Sequence, residues 1–200
     1  MDAIESGAER AAELFRAPIE TRRLILRPPV ADDLVAVCRL VNDPVIARHT
    51  GLIRYPYPPI SAWQWLESAW RLKGGRQQMP YLLTLRSNPR LIAGAAGITL
   101  RQGGAPSIGY WVARAHRGRG FATEASRALI SALFSKTDVP AVAATARTVN
   151  IASQRVLMAA GMAKVGRGQI KSAQLGRYVP VVAFRIDRKS WEIARKPAAP

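Results

Sequence analysis

The stretch Ser107–Ala125, SIGYWVARAHRGRGFATEA, constrains this chain most. Ser107–Val112 reads as a strand, Arg117-Gly118-Arg119-Gly120 as a glycine-rich turn, and Ala122–Ser135 as the helix that follows. Glycines let backbone N–H groups approach an anion without side chains in the way. A helix start adds unpaired donors and the positive end of the dipole. Arg117 and Arg119 add charge. The turn is therefore read as a seat for a phosphate or pyrophosphate. It is not a P-loop, because no Gly-Lys-Ser/Thr follows. It also lacks the third glycine and the acidic residue of a dinucleotide fingerprint.

The 200 residues fit one domain, which at this size buries roughly 70% of its unfolded surface. Cys38 is the single cysteine, which excludes an internal disulfide framework and a multi-cysteine metal site. His49 and His116 are the only histidines, so a His-rich site is excluded too and no metal is expected. No uncharged apolar run approaches the ~20 residues of a membrane helix. The acidic start, MDAIESGAERAAELF, is no secretory signal. These features lead us to expect a soluble, cytoplasmic protein in a reducing compartment, without a membrane partner. The net charge of +17 is uneven: +4 over residues 1–100 and +13 over residues 101–200. A phosphorylated cofactor, a nucleic acid or ribosomal surface, or an acidic substrate would each suit the second half; solubility alone would also account for it.

Residues 2–16 read as an amphipathic helix, with Ile4, Ala11, Ala12 and Phe15 apolar. A strand at residues 22–27 ends at Pro28 and Pro29. Leu34, Val37, Cys38 and Val41 fall at helical spacing, with Asp32 and Asp33 in the first turn, and Cys38 is read as core. A second helix is read over Ile60–Lys73, with a Ser61/Gln64 capping box, a stop at Gly74 and Gly75, and a buried Trp63, Leu66 and Trp70 face. Strands Tyr81–Arg86, Leu91–Leu100 and Ser107–Val112 form a meander. After the glycine turn and its helix come a strand at Val139–Ala146 and a helix capped by Asn150 and closed by Gly161. Strands at Met162–Gly168 and Tyr178–Ile186 end the series. The order predicts a single α+β domain with one mixed sheet.

About 30 residues beyond the glycine turn lies NIASQRVLMAAGM, residues 150–162. Arg117-Gly118-Arg119-Gly120-Phe121-Ala122 matches Arg/Gln-x-x-Gly-x-Gly/Ala, and with this second segment the chain resembles the GNAT superfamily of acyl-CoA-dependent N-acyltransferases. Thr123-Glu124-Ala125, Asn150-x-x-Ser153, Gly161-Met162, ETRRLILRP, Asn42-Asp43-Pro44, YPYP and IGYW are similar to the Rim-type branch, the ribosomal-protein N-terminal acetyltransferases. The resemblance covers about residues 19–191, leaving residues 1–18 as an extension and 192–200 as a tail. It implies a central, mostly antiparallel, splayed sheet flanked by helices, with acetyl-CoA as donor and an amine as acceptor. The acceptor is a protein N-terminus or a small molecule, a ribosomal or other anionic surface is a possible partner, and the family contains monomers and homodimers. Backbone groups of Trp111, Val112 and Ala113 would bond the pantetheine arm and polarise the thioester. The N–H groups of Gly118, Arg119, Gly120, Phe121 and Ala122 would hold the pyrophosphate beside Arg117. Asn150 would bond the arm.

Acetyl transfer to an amine needs proton loss, oxyanion stabilisation and a leaving thiolate. Many relatives place a tyrosine on the helix after the Asn; here that position is Leu157. The Rim-type branch instead places a serine at the position matched by Ser153, so the resemblance implies Ser153 as the thiolate partner. Relatives often carry Glu before IGYW, and this chain has Ser107. Deprotonation is therefore left to water, to a carboxylate such as Glu67, or to no base at all. His116, just before the glycine turn, is read as exposed or near the cofactor, His49 as structural, and Glu124, in the first turn of the helix, as a dipole or capping residue. Residues 55–70 and the basic loop 166–177 would build the acceptor site. A non-catalytic acyl-CoA or nucleic-acid binding module is the alternative from another class.

Overall fold

The computed structural model describes residues 15–69, 72–73, 76–101 and 103–195. Of the helix read over residues 2–16, all but Phe15 and Arg16 lies outside them; Phe15 is fully buried. The described strands are β1 (Ile19–Glu20), β2 (Leu24–Arg27), β3 (Leu72–Lys73), β4 (Arg76–Leu85), β5 (Asn88–Arg101), β6 (Gly104–Val112), β7 (Ala141–Arg147), β8 (Ala163–Lys171) and β9 (Tyr178–Asp187). They form one sheet in the order β1-β2-β4-β5-β6-β7-β9-β8, with β3 beside β4. Every pairing is antiparallel except β6 with β7.

The middle strands bury both faces, so they are apolar almost throughout rather than alternating. Met79, Tyr81, Leu83, Ile98, Ile108 and Val142 join one core with α4 (Phe121–Lys136) and α5 (Ile151–Ala159). Leu82, Ile92 and Ala95 join a smaller core on the opposite face with Val37, Val41 and Ile46. Those three come from α1 (Leu34–Val41) and α2 (Pro44–His49), and Trp65 of α3 (Pro59–Ser68) packs against them. On α4, Leu129, Ile130 and Leu133 are essentially fully buried, each worth about 1.5–3 kcal/mol relative to exposure. Asp33 closes the α1 start against β2 by a two-pronged pair with Arg27, at 2.7 and 2.8 Å.

The expected mixed, mostly antiparallel sheet is present, and four local readings change. Helix α3 starts at Pro59 after Pro58, not with a Ser61/Gln64 box, because proline is pre-organised for a first helical position. It ends at Ser68, and Leu72–Lys73 instead pair with β4, where a helix to Lys73 was expected. Trp63 is half exposed, and the inward face of α3 carries Ala62, Trp65 and Ala69; Trp70, Gly74 and Gly75 lie outside the described residues. A short helix, α6 (Arg188–Arg195), follows β9 and crosses residue 191; its Trp191 ring packs, tilted, against Phe134 with centroids 5.1 Å apart. Cys38 sits half-buried beside the α1 stripe.

The parallel pair positions the site. β6 and β7 pair only at Ser107 and Ala143, and then diverge. The sheet is thus held together by β5 on one side and β9 on the other, while its centre opens into a wedge.

Candidate active site

The wedge is lined by backbone whose direction follows from strand register. Ala113 N–H donates to the Ala93 carbonyl at 2.9 Å, so the odd residues of β6 turn their polar groups toward β5. By alternation, Tyr110 and Val112 turn theirs into the wedge. This corrects the expectation for Trp111 and Ala113: the Ala113 donor is taken, and the Trp111 carbonyl faces Gly94. Val112 remains, and Tyr110 joins it.

At the end of β6, a short 3-10 turn (Arg114–His116) leads into the glycine turn. Gly118 and Gly120 have φ of +74° and +78°, a region that side chains rarely adopt. Gly120 caps α4 with no side chain, which leaves the first N–H groups of the helix facing outward. Two anchors hold this turn, and neither was apparent in sequence. Arg117 bonds Asp43 at 2.7 Å and the Val112 carbonyl at 3.1 Å. Its charge is therefore matched by Asp43, and it shapes the turn rather than standing open to an anion. Arg119 is exposed, lies over the Phe121 ring and reaches the His116 ring at 3.5 Å. Desolvation, then Arg119, pushes His116 below its ordinary pKa.

The second anchor is Glu124. It accepts from the Thr21 hydroxyl at 2.7 Å, the Arg23 N–H at 2.8 Å and the Arg23 Nε at 2.6 Å. Arg23 in turn donates to the Arg119 carbonyl and covers the Phe121 ring. The carboxylate thus ties the β1–β2 turn to the first turn of α4, a more specific task than interaction with the dipole. Desolvation pushes its pKa up, but the Thr21 and Arg23 bonds outweigh that and hold it below the usual range. Asp33 and Asp43 are depressed in the same way, desolvation being outweighed by Arg27 and Val30 in the one and by Val45 and Arg117 in the other. A depressed carboxylate contributes stability above its unfolded pKa and loses it as pH falls through its folded pKa. His49 and His116, also depressed, lose their contribution as pH falls below about 6.5. The melting temperature is therefore expected to decline gently below pH 6.5 and steeply below about pH 4. Glu124→Gln should lower it at pH 7 and flatten the acid limb; calorimetric melts from pH 3 to 8 check this.

Across the wedge, Asn150 caps α5: its side-chain oxygen accepts from the Ser153 N–H at 3.1 Å. The amide nitrogen of Asn150 has no partner among the described residues and can donate to a ligand. Ser153, half-buried, points its hydroxyl at the Tyr110 hydroxyl, 2.9 Å away. Burial pushes the Tyr110 phenol up to about 12, with the Ser153 bond acting against it. Leu157 is core. Ser107 is the fork residue itself, and Glu67 is exposed on α3. His49 is half-buried; desolvation, then Arg147, Arg48 and Arg117, lowers its pKa.

The two segments read as acceptor walls do meet. Ala173 donates to the Gly51 carbonyl at 2.8 Å, and Gln174 accepts from the Tyr55 N–H at 2.6 Å. Outside the wedge, a groove of about 860 Å³ runs from Gly120 along the outer face of α4, past Arg23, Arg127 and Ser131. It meets the glycine turn at Gly120, and neither Ser153 nor Asn150 lines it.

A splayed sheet whose open strand runs into a bare-backbone turn and a helix start offers main-chain donors suited to an anion. The acetyltransferase (GNAT) domain family matches residues 23–163, and the chain belongs to that family. It is 24% identical over 174 residues to an uncharacterised N-acetyltransferase, p20, of Bacillus licheniformis, covering 86% of this chain and 96% of the relative. Its fold is shared with Mycobacterium smegmatis RimJ in complex with a CoA-disulfide, at 19% identity and TM-score 0.70, over 90% of this chain and 96% of that one. It is also shared with AAC(6')-Ib in complex with ribostamycin and coenzyme A, at 21% identity and TM-score 0.71, over 86% and 98%. The chain is an acyl-CoA-dependent N-acetyltransferase with acetyl-CoA as its donor.

Proposed function

We propose that this acetyltransferase modifies the N-terminal amine of a protein or peptide, with the donor held between β6, the 117–122 turn and Asn150. The observation that carries the acceptor class is the make-up of the walls that meet at Gly51–Ala173 and Tyr55–Gln174. Residues 50–69 and 163–187, which include these walls, carry Arg54, Lys164, Arg167, Lys171, Arg177 and Arg185 against the carboxylates Glu67 and Asp187 alone. A polycationic amine would meet repulsion there, whereas a peptide with neutral or acidic residues behind its amine would not.

In this reading the Gly118–Ala122 N–H groups bind the pyrophosphate, and the Asn150 amide and the Tyr110 backbone bind the pantetheine arm. The Val112 N–H stands where the thioester carbonyl gains charge. A donor of this kind is typically worth 10²–10³ in rate. Ser153 meets the departing sulfur. Water takes the amine proton. The proposal places the enzyme in the cytoplasm, where acetyl-CoA and nascent or ribosomal N-termini are both present.

The test follows free thiol release from acetyl-CoA with acidic, neutral and basic N-terminal peptides and with polyamines and aminoglycosides. Turnover confined to neutral and acidic peptides is the expected result, and Ser153→Ala should then lower kcat roughly tenfold with little change in acetyl-CoA affinity. Turnover of aminoglycosides or polyamines in preference to every peptide would overturn the acceptor class.

A further inference from the structure

The family's helix tyrosine is absent here, since Leu157 is buried in the core, yet a tyrosine hydroxyl still stands in the wedge. Tyr110 comes from the opposite wall. Its ring packs against the α4–α5 core, and its hydroxyl lies 2.9 Å from Ser153 Oγ and 3.3 Å from the Ser153 carbonyl. Ser153 itself is pinned through its N–H to Asn150. Residues 108, 110 and 112 share the face of β6 turned to α5, and among them only Tyr110 carries a side-chain hydroxyl.

We propose that Tyr110 is the positioning residue of the leaving-group site, donating its hydroxyl proton to Ser153 Oγ so that the serine proton points at the departing sulfur. This rests on the reading of Ser153 as thiolate partner. In the step concerned, the amine nitrogen bonds the acetyl carbon, the C–S bond breaks with its electron pair going to sulfur, and the amine gives its surplus proton to water. The thiolate accepts a hydrogen bond from Ser153, whose oxygen is polarised by Tyr110.

Tyr110 does not give up its proton in this scheme. A phenol at about 12 lies more than three units above a free thiol at roughly 8.5, so complete transfer to sulfur is disfavoured by over a thousandfold. A hydrogen-bond donor held in place, not a proton source, is what that difference allows. The two acceptors of Tyr110 make it adjustable. With no thiolate present it can be shared between Ser153 Oγ and the carbonyl; once sulfur becomes anionic, the Oγ contact strengthens at the expense of the longer one.

The experiment needs no acceptor. Coenzyme A itself is the probe: the bound thiol is titrated by the ultraviolet absorbance of its thiolate, with CoA-free protein subtracted to remove Cys38. The wild type should lower the thiol pKa by about one unit. Ser153→Ala should abolish the serine's share of that shift, and Tyr110→Phe should remove half or more of the same share. In the Ser153→Ala background, Tyr110→Phe should change nothing further. Should Tyr110→Phe fold poorly, 3-fluorotyrosine at position 110 keeps the ring and strengthens the donor, and it should lower the thiol pKa further.

A Tyr110→Phe enzyme with the wild-type thiol pKa, or one with the same shift whether or not Ser153 is present, overturns the role of Tyr110 alone. A Ser153→Ala enzyme with the wild-type value overturns the reading of Ser153 and this inference with it. Failure of coenzyme A to bind the wild type overturns the site.

Discussion

Replacing Gly120 with aspartate is expected to abolish acetyl-CoA binding while leaving the fold in place. Gly120 has φ of +78°, and aspartate is among the few residues that tolerate this region. Facing the positive end of α4, its carboxylate gains about 0.3–1 kcal/mol, which offsets the left-handed strain, and Arg23 Nη2, the end of a flexible side chain, lies 3.2 Å from where the new Cβ would be. The same carboxylate would stand in the anion seat. Two like charges about 4 Å apart near a protein surface repel by roughly 4 kcal/mol, and solvent at this exposed turn reduces that to about 2–4 kcal/mol. The dissociation constant should therefore rise about 30- to 1,000-fold with the melting temperature nearly unchanged. Titration calorimetry beside a thermal melt checks both. Unaltered affinity in a folded Gly120→Asp protein would remove the turn from the site.

Gly94→Ala should have the opposite profile, a loss of stability first. A Cβ on Gly94 would lie 2.3 Å from the Trp111 carbonyl oxygen and 3.0 Å from Val112 Cα. Both obstacles are backbone, so no rotamer change relieves them. β5 must move from β6, and the Ala113–Ala93 bond that fixes the direction of β6 lies at the same place. The expected destabilisation is about 3 kcal/mol or more, in the range of overpacked cores. Chemical denaturation measures it. Surviving protein should also bind acetyl-CoA more weakly, because the displaced strand is the one that lines the wedge. Gly109, whose added Cβ would meet nothing within 4 Å, is the control: its alanine variant should stay within about 1 kcal/mol of wild type.

The two glycines show how far the sequence could be read. Gly120 was legible because its role is local: a bare turn at a helix start binds anions wherever it occurs. Asn150 was legible as a cap for the same reason. Gly94 was not, since nothing around it in the chain indicates that Trp111 will lie against it. Arg117 shows the limit more sharply. Its charge beside the turn suggested a phosphate ligand, and only the tertiary fold reveals Asp43, 74 residues away, as its partner. Glu124 was read as a dipole residue because Thr21 and Arg23 are over 100 residues distant in sequence. The Trp63 face differs for another reason: helical spacing allows either stripe, and the packing against α1 and α2 selects Trp65, with Ala62 and Ala69 buried beside it.

Part of the role of Tyr110 is legible in the sequence. Alternation along IGYWV puts residues 108, 110 and 112 on one face, and Leu157 had already vacated the hydroxyl position. What the sequence could not supply was the orientation of β6 against α5, which depends on β6 and β7 pairing at Ser107 and parting beyond it.

Amide hydrogen exchange with and without acetyl-CoA tests the central claim most directly, because it reports which N–H groups the donor covers. The account predicts slowed exchange at Tyr110, Val112 and the Gly118–Ala122 amides, with the groove along the outer face of α4 unchanged. Protection along the β1–α4 groove at Thr21, Arg23 and Arg127, with Val112 and the turn exchanging as before, would contradict it.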